Sequence, residues 1–508
     1  MRLNYRRTVL VGFAFFLICA FWQIYDVSIA MTLTNKFGMS QDHSGIVMAL
    51  DNILALFMLP LFGGLSDRCK NPRGRRTPFI VVGTILAVIL MLGLSVVDNF
   101  QLNNIEKYSR VDDPATMAII YDEQADTVLK TPGGKSFTLE EKFTREEFAQ
   151  ITTEDADYTT YVVPARQACA AAVAAQNPTT LYIYIGVLLL LLIAMASFRT
   201  PAVALMPDVT VKPLRSKANA IINLMGTVGG IIVLALGSIL AISKVKNAYM
   251  SYTAIYALVA MLMLGALAVF MLTVKEPKWA RQMQEKSREL AISEEDEDED
   301  QREKRKMTGG EKKSLLLILG SVVLWYFGYN AVVSKYAVYA QSVLDKDATM
   351  TLMIANAAAI VSYLPVGIIS SKVGRKKTIL AGVTMLFAAF FVAGFMRSTS
   401  PSWLMYVLFC LAGVGWATIN VNSFPMAVEL CKGSDVGKYT GLYYTASMGA
   451  QALTPYLSGL CMEKIAMVSL FPYAALFVGL AFLTMYFVKH GDNKPAAKKG
   501  LEALDIED

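Results

Sequence analysis

Between Gly63 and Phe79 the chain sets five basic residues, Arg68, Lys70, Arg73, Arg75 and Arg76, against the one carboxylate of Asp67. Apolar runs of about 20 residues, the length that crosses a bilayer, flank the stretch on both sides. Such a charge density is excluded from hydrocarbon, so the stretch must be an aqueous loop between two spanning helices. Its basic excess assigns it to the cytoplasmic side. A blurred second copy follows at Gly367-Ile368-Ile369-Ser370-Ser371-Lys372-Val373-Gly374-Arg375-Lys376-Lys377.

With that spanning length as the yardstick, twelve spans are expected: roughly 8–32, 44–66, 78–97, 181–206, 218–242, 251–274, 315–340, 349–371, 378–397, 402–426, 438–462 and 466–488. The short loops on the opposite side carry only Lys36, Lys244, Lys246, Lys346, Arg397 and Lys464, so both termini are expected in the cytoplasm. The two halves keep register. Asp26 and Asn330, Asn52 and Asn356, and Gly63 and Gly367 are each 304 residues apart, and Gly74 and Gly374 are 300 apart. Later in the halves, Asp208 and Glu429, and Lys217 and Lys438, are 221 apart. The drop equals the size of a segment inserted after the third span. Two six-helix halves in parallel repeat are the pattern of the major facilitator architecture, an all-α polytopic fold.

Composition narrows the class further. Hydrophobic residues make up 55% of 508 and charged residues 17%, which fits a polytopic membrane protein and no soluble one. The net charge of +6 sits in loops and reflects topology, so no nucleic-acid partner is expected. Six cysteines are scattered without a CxxC pair, which leaves neither a disulfide framework nor a metal site, and no cofactor is implied. The first apolar run follows Arg6-Arg7 and is long enough to act as a signal anchor in the cell membrane.

The organisation expected is therefore 1–97 (spans 1–3), an extracytoplasmic insertion at 98–178, 179–274 (spans 4–6), a cytoplasmic linker at 275–314, 315–488 (spans 7–12) and a cytoplasmic tail at 489–508. In the insertion, Thr127–Lys130 and Ser136–Leu139 around Thr131-Pro132-Gly133-Gly134 read as a hairpin, and Glu140–Ile151 as a short amphipathic helix. It reads as a solvated decoration over the outer mouth, with a lid or docking role as the alternative. The linker holds an acidic run, Glu294–Asp300, then a basic cluster, Arg302–Lys306, and reads as disordered.

Few ionisable residues lie inside spans. Asp26, Asp51 and Arg199 each cost about 2.5–3.5 kcal/mol at a helix centre, so each must face a cavity or a partner. The bland reading is a buried pair that fixes packing. At 1.5 Å per residue, however, the aspartates lie roughly 5–8 Å outward of their span centres and Arg199 about 8 Å inward, so they bracket a midplane cavity. No span contains a histidine, so a proton carrier would be Asp26 or Asp51. Trp22, Gln23, Tyr25, Asn52, Asn223, Tyr329, Asn330, Asn356, Trp416, Asn420 and Gln451 lie at matching depths. They supply the flat faces and forked amides a sugar needs, although interhelical hydrogen bonding would use the same residue types.

Gly-x-x-x-Asp-Arg leading to Gly-Arg-Arg resembles the loop motif of the major facilitator superfamily. The longer spacing here, Asp67-Arg68-(Cys69-Lys70-Asn71-Pro72-Arg73)-Gly74-Arg75-Arg76, resembles the sucrose/proton symporter family, within the glycoside–cation symporter group that includes bacterial and animal relatives. Ala204-Leu205-Met206-Pro207-Asp208-Val209-Thr210, with Arg215 and Ala218-Asn219-Ala220, resembles the same family's fourth-to-fifth helix connection. The resemblance implies sugar uptake coupled to protons. The family's substrate-contacting arginine falls at Val203 here, with Arg199 one turn away on the same helix face. The acidic pair of sodium-coupled relatives falls at Ala55 and Leu59, where both carboxylates are missing.

The expected function is secondary active transport, with no enzymatic activity. A sugar, a glucoside disaccharide such as sucrose or maltose, would move inward with a proton rather than sodium, through a monomer in the lipid bilayer. Asp26 and Asp51 would carry the proton and Arg199 would anchor hydroxyls. Rival readings are an exporter of drugs or metabolites, and a non-transporting receptor or scaffold. The basic loop is expected to act as a cytoplasmic gate. Asp67 would face the helix start at Gly437-Lys438, Arg75 and Arg76 would meet Asp208, Arg375 would meet Glu429, and Arg68 belongs to the same motif. Because Ser371 stands where the first copy has Asp67, the clasp should be asymmetric.

Overall fold

The computed structural model describes residues 3–131, 136–155, 157–242, 245–289, 308–344, 349–397, 399–430 and 435–492. The turn at 132–135, the acidic run Glu294–Asp300, the cluster Arg302–Lys306, the tail beyond 492, and Lys244 and Lys346 of the loop comparison lie outside these residues.

Among the described residues twelve helices have 17 residues or more. They are α1 (Tyr5–Met31), α2 (Leu50–Asp67), α3 (Thr77–Asn104), α4 (Thr179–Val209), α5 (Arg215–Ile239), α6 (Thr253–Thr273), α7 (Gly309–Tyr339), α8 (Thr349–Val373), α9 (Arg375–Ala393), α10 (Ser402–Glu429), α11 (Val436–Lys464) and α12 (Leu470–Tyr486). Ten are long and apolar enough to cross a membrane. The other two are α12, of 17 residues, and α11, whose 29 residues are diluted by Gly, Ser, Thr and Gln. Within the halves α1 packs on α5, α3 on α4, α7 on α12, and α9 on α10. Between the halves α2 packs on α11 and α5 on α8. The repeat shows in the backbone too. Gly74 and Gly374 both take positive φ, 117° and 102°, to turn the chain into α3 and α9.

Three expectations need correction. First, α3 does not stop near residue 97 but runs to Asn104, so Asp98 is a buried helix residue rather than the start of a loop. Its partner is Lys36, which is no solvated loop lysine. The two are fully buried with Nζ 2.6 Å from Oδ2, and Nζ lies 3.9 Å from the Tyr252 ring centroid. Their pairing ties the π-helical end of α1, Thr32–Lys36, to α3.

Second, the insertion closes around its own apolar core, which the reading of a hairpin and one short helix did not include. Met117, Ile120, Leu129, Phe137, Phe148 and Tyr158 are among the residues that build it. The hairpin is short, pairing Leu129 with Phe137 and Lys130 with Ser136. The expected helix over Glu140–Ile151 shrinks to Arg145–Ala149, started by a capping box between Thr144 and Glu147. Arg166 is buried and donates to the carbonyls of Tyr108 and Arg110, each at 2.7 Å. Burial in this core pushes the Cys169 thiol up to about 12.

Third, the linker begins as a helix, Glu276–Glu289, with Trp279 buried and Arg7 above its ring. Packing of Trp279 and Met283 on the main core, a hydrogen bond from Arg7 to Gln282 Oε1 at 2.7 Å and contact with α4 hold this helix to the bundle, against the expectation of disorder throughout.

Candidate functional site

A cavity of about 580 Å³ opens among α1, α2, α4 and α11, in the half of the bundle nearer the insertion. Asp26, Asp51, Asn52, Arg199 and Gln451 supply its polar lining, and Trp22, Tyr25 and Tyr456 its aromatic lining. Asp51 stands in the first turn of α2, where the helix dipole favours a carboxylate, and accepts from Asn52 Nδ2 at 2.8 Å. Arg199 closes the floor. Its guanidinium lies 5.3 Å from the Trp22 ring and 5.2 Å from the ring of Tyr444 in α11, an arrangement that holds a cation without neutralising it. Among the described residues no carboxylate and no hydrogen-bond acceptor meets Arg199. Its planar donors face a cavity whose other wall carries two carboxylates.

Below this floor the bundle is shut by both basic loops. Asp67 at the end of α2 accepts from the backbone amides of Gly437, at 2.9 Å, and Lys438, at 2.8 Å, at the start of α11 in the other half. Arg76 is fully buried, 2.5 Å from Asp67 and 2.8 Å from Asp208, which also holds Arg75 at 2.7 Å. Burial alone would favour the neutral guanidine. Asp208 and Asp67 outweigh it and hold Arg76 above the ordinary arginine value. In the second copy Arg375 pairs with Glu429 and crosses to the first half, donating to Ser216 Oγ at 3.0 Å and to the Lys212 carbonyl. Arg215 adds a longer contact to Glu429, at 3.8 Å.

The model of the Major Facilitator Superfamily matches residues 11–104, 165–362 and 346–505. The chain belongs to that superfamily. It is a multi-pass membrane transporter, and both the cavity between its halves and the shut basic face follow from that architecture. Solved structures with the same fold include the proton:xylose symporter XylE bound to 6-bromo-6-deoxy-D-glucose, at 14% identity and TM-score 0.55, covering 96% of each chain. The transporter FucP in its outward conformation aligns at 12% identity and TM-score 0.55, over 95% of this chain and 98% of that one. A bacterial homologue of the iron transporter ferroportin, outward-facing with soaked iron, aligns at 12% and 0.59, over 96% and 99%. At these identities the likeness is one of fold. No curated protein sequence matches the chain significantly.

Within this facilitator the sequence-derived residues separate into groups. Trp22, Tyr25, Asp26, Asp51, Asn52 and Arg199 line the cavity together. Gln23 instead lies against Gly230 of α5. Tyr329, Asn330, Asn356, Trp416 and Asn420 do not line it. Tyr329 and Trp416 stack face to face at 3.7 Å, and the Asn330 amide nitrogen is buried without a partner among the described residues. Of the basic-loop residues, Arg68 stays exposed and meets no carboxylate among the described residues, so it takes no part in the closure.

Gln451, read from the sequence as one of the clustered amides, does line the cavity, whereas sequence reasoning missed Tyr444 beneath Arg199 and two carboxylates behind the gate arginines. Glu276 accepts from the Arg76 and Thr77 amides, each at 2.9 Å, and so caps α3. Asp492 accepts from the Arg375 amide at 2.8 Å and the Lys376 amide at 3.2 Å, capping α9. Each is an acid a few residues past the last span of its half, and that position was the available signal.

Proposed function

We propose that this transporter takes up a sugar by proton symport, with the basic face in the cytoplasm and the cavity facing out. The observation that carries this reading is the floor of the cavity, where an unneutralised planar cation stands opposite two carboxylates and among aromatic rings. A polyol offers oxygens to Arg199, hydroxyl donors to Asp26, Asp51 and Gln451, and C–H faces to Trp22 and Tyr25. Asp26 is exposed to the cavity, so it can take a proton from the outer solution and release it once the cavity opens inward. Ala55 and Leu59 pack with Ala196 and Met448 in an apolar cluster, which favours a proton over sodium at those positions. The proton:xylose symporter among the structural relatives supports coupling of this kind, whereas the ferroportin relative marks how far cargo varies on one fold.

In reconstituted vesicles with an imposed pH gradient, at least one mono- or disaccharide, foremost a glucoside, is expected to accumulate, with other sugars competing. Vesicles that move no sugar, yet extrude drugs or metabolites on the same gradient, would replace this reading with that of an exporter.

A further inference from the structure

Polar side chains inside these helices mostly bond back onto their own turn. Thr440 donates to Val436 O at 2.7 Å and Thr454 to Ala450 O at 2.5 Å, while Asn223 donates to Asn219 O at 2.8 Å and Asn422 to Thr418 O at 2.9 Å. Others bond to neighbouring helices of their own half, as Tyr256 does to Ser28 and Ser423 to Tyr443, but two uncharged side chains donate to a helix carbonyl of the opposite half. Thr445 of α11 donates to the carbonyl of Leu56 in α2 at 3.3 Å. Asn219 of α5 donates to the carbonyls of Val421 at 2.8 Å and Asn420 at 3.1 Å in α10.

The targets explain the exception. Proline has no N–H, so within a helix it leaves the carbonyl four residues earlier without its donor. Pro60 lies inside α2 and strips Leu56 O, and Pro425 lies inside α10 and strips Val421 O. The two orphaned acceptors are the ones the other half reaches. The approach is built for it: a Cβ on Gly441, one turn before Thr445, would fall 2.5 Å from Pro60 Cα and 2.7 Å from Leu59 O. For the other helix-interior prolines, Pro201, Pro207, Pro365 and Pro455, no side chain of the opposite half meets the carbonyl set free, among the described residues.

We infer that Pro60 and Pro425 create acceptor sites which Thr445 and Asn219 of the opposite half fill while the inner side is closed and vacate when it opens. That makes both side chains positioning residues of the conformational cycle. The inference rests on the alternating-access part of the proposed function and not on the identity of the cargo. An orphaned carbonyl in a membrane interior has no water to turn to, so the cross-half bond favours the closed state. The two sites lie on different helix pairs and act in addition to the ionic closure at the basic face.

The test reads opening directly. Val421 is fully buried in a small cluster that joins α5, α8 and α10. With native cysteines replaced, Val421→Cys is labelled by a membrane-impermeant maleimide supplied to the basic face. Thr445→Val removes the donor at nearly constant volume, and labelling is expected to rise about five-fold, the worth of one hydrogen bond. Thr445→Ser keeps the hydroxyl and the parent rate. Pro60→Ala restores the intrahelical donor, so adding Thr445→Val to it should raise labelling no further. A parent rate in Thr445→Val, or an equal rise with and without Pro60, overturns the inference. Asn219→Leu with and without Pro425→Ala, read at a cysteine replacing Ala55, repeats the test if a Pro60 variant does not fold. If Asp67→Asn also leaves every reporter unlabelled, alternating access itself fails. Labelling in Asp67→Asn with none in Thr445→Val removes only this inference.

Discussion

In the first copy of the basic loop a carboxylate reaches the other half, and in the second an arginine does. Asp67 caps the start of α11 through two amides, while its own arginines, Arg75 and Arg76, turn inward to Asp208. Ser371 holds the place of Asp67 in the second copy and, among the described residues, bonds back only to Ile368 O, at 2.7 Å. There Arg375 crosses instead, to Ser216 and the Lys212 carbonyl, and Glu429 gathers Arg375 and Arg215 from both halves. One motif thus closes the same face twice with opposite chemistry, anion to amides and cation to acceptors. The lesson is that a repeat conserves where contact is made more strictly than which charge makes it.

That difference can be broken from either side, and maleimide labelling of a cysteine replacing Val421 reads each case. Asp67→Asn should have the largest effect. It leaves the buried Arg76 half-compensated and, since Asn keeps a single acceptor oxygen, one of the two amides uncapped, about 2–3 kcal/mol, so labelling should rise about 30- to 150-fold. Unchanged labelling would show that the first copy does not hold the closed state. Arg375→Lys keeps a charge for Glu429 but loses the fork that reaches Ser216 and Lys212, and a rise of roughly ten-fold is expected. A rise as large as that of Asp67→Asn would mean the two copies are equal. Ser371→Asp places a carboxylate opposite the start of α5 and should slow labelling about two- to five-fold through the helix dipole. A faster rate would mean the second copy cannot accept the first copy's chemistry. Arg68→Gln, at an exposed residue unpaired among the described residues, should stay within about two-fold of the parent.

Much of this arrangement could be read before any coordinates. Asp67, at the end of its helix, is expected to face the positive helix start at Gly437-Lys438, and the repeat register makes Asp208 and Glu429 equivalents. Asp26, Asp51 and Arg199 stand out because a charge in a span needs a cavity. What escaped was of another physical kind. Asp98 lies just past the apolar run, and a helix that outlasts its run by two turns leaves no mark in hydropathy. Glu276 and Asp492 resemble any acid in a solvated loop, and only the third dimension sets them over the starts of α3 and α9. The core of the insertion is gathered from short elements far apart in sequence, with Met117 and Ile120 on the helix Pro114–Gln124, Phe148 on Arg145–Ala149 and Cys169 on Val163–Gln176, and no single stretch shows that these faces meet. The second-half amides and aromatics sit at the expected depths, yet depth does not say which way a side chain turns. Tyr329 and Trp416 face each other.

The proton-coupled transport reading stands most directly on Asp26. Solute uptake into vesicles can be followed under an imposed pH gradient and, separately, by exchange with solute loaded inside. The wild-type chain is expected to accumulate solute on the gradient, and Asp26→Asn to lose accumulation while keeping at most exchange. Full proton-driven accumulation in both Asp26→Asn and Asp51→Asn would contradict it.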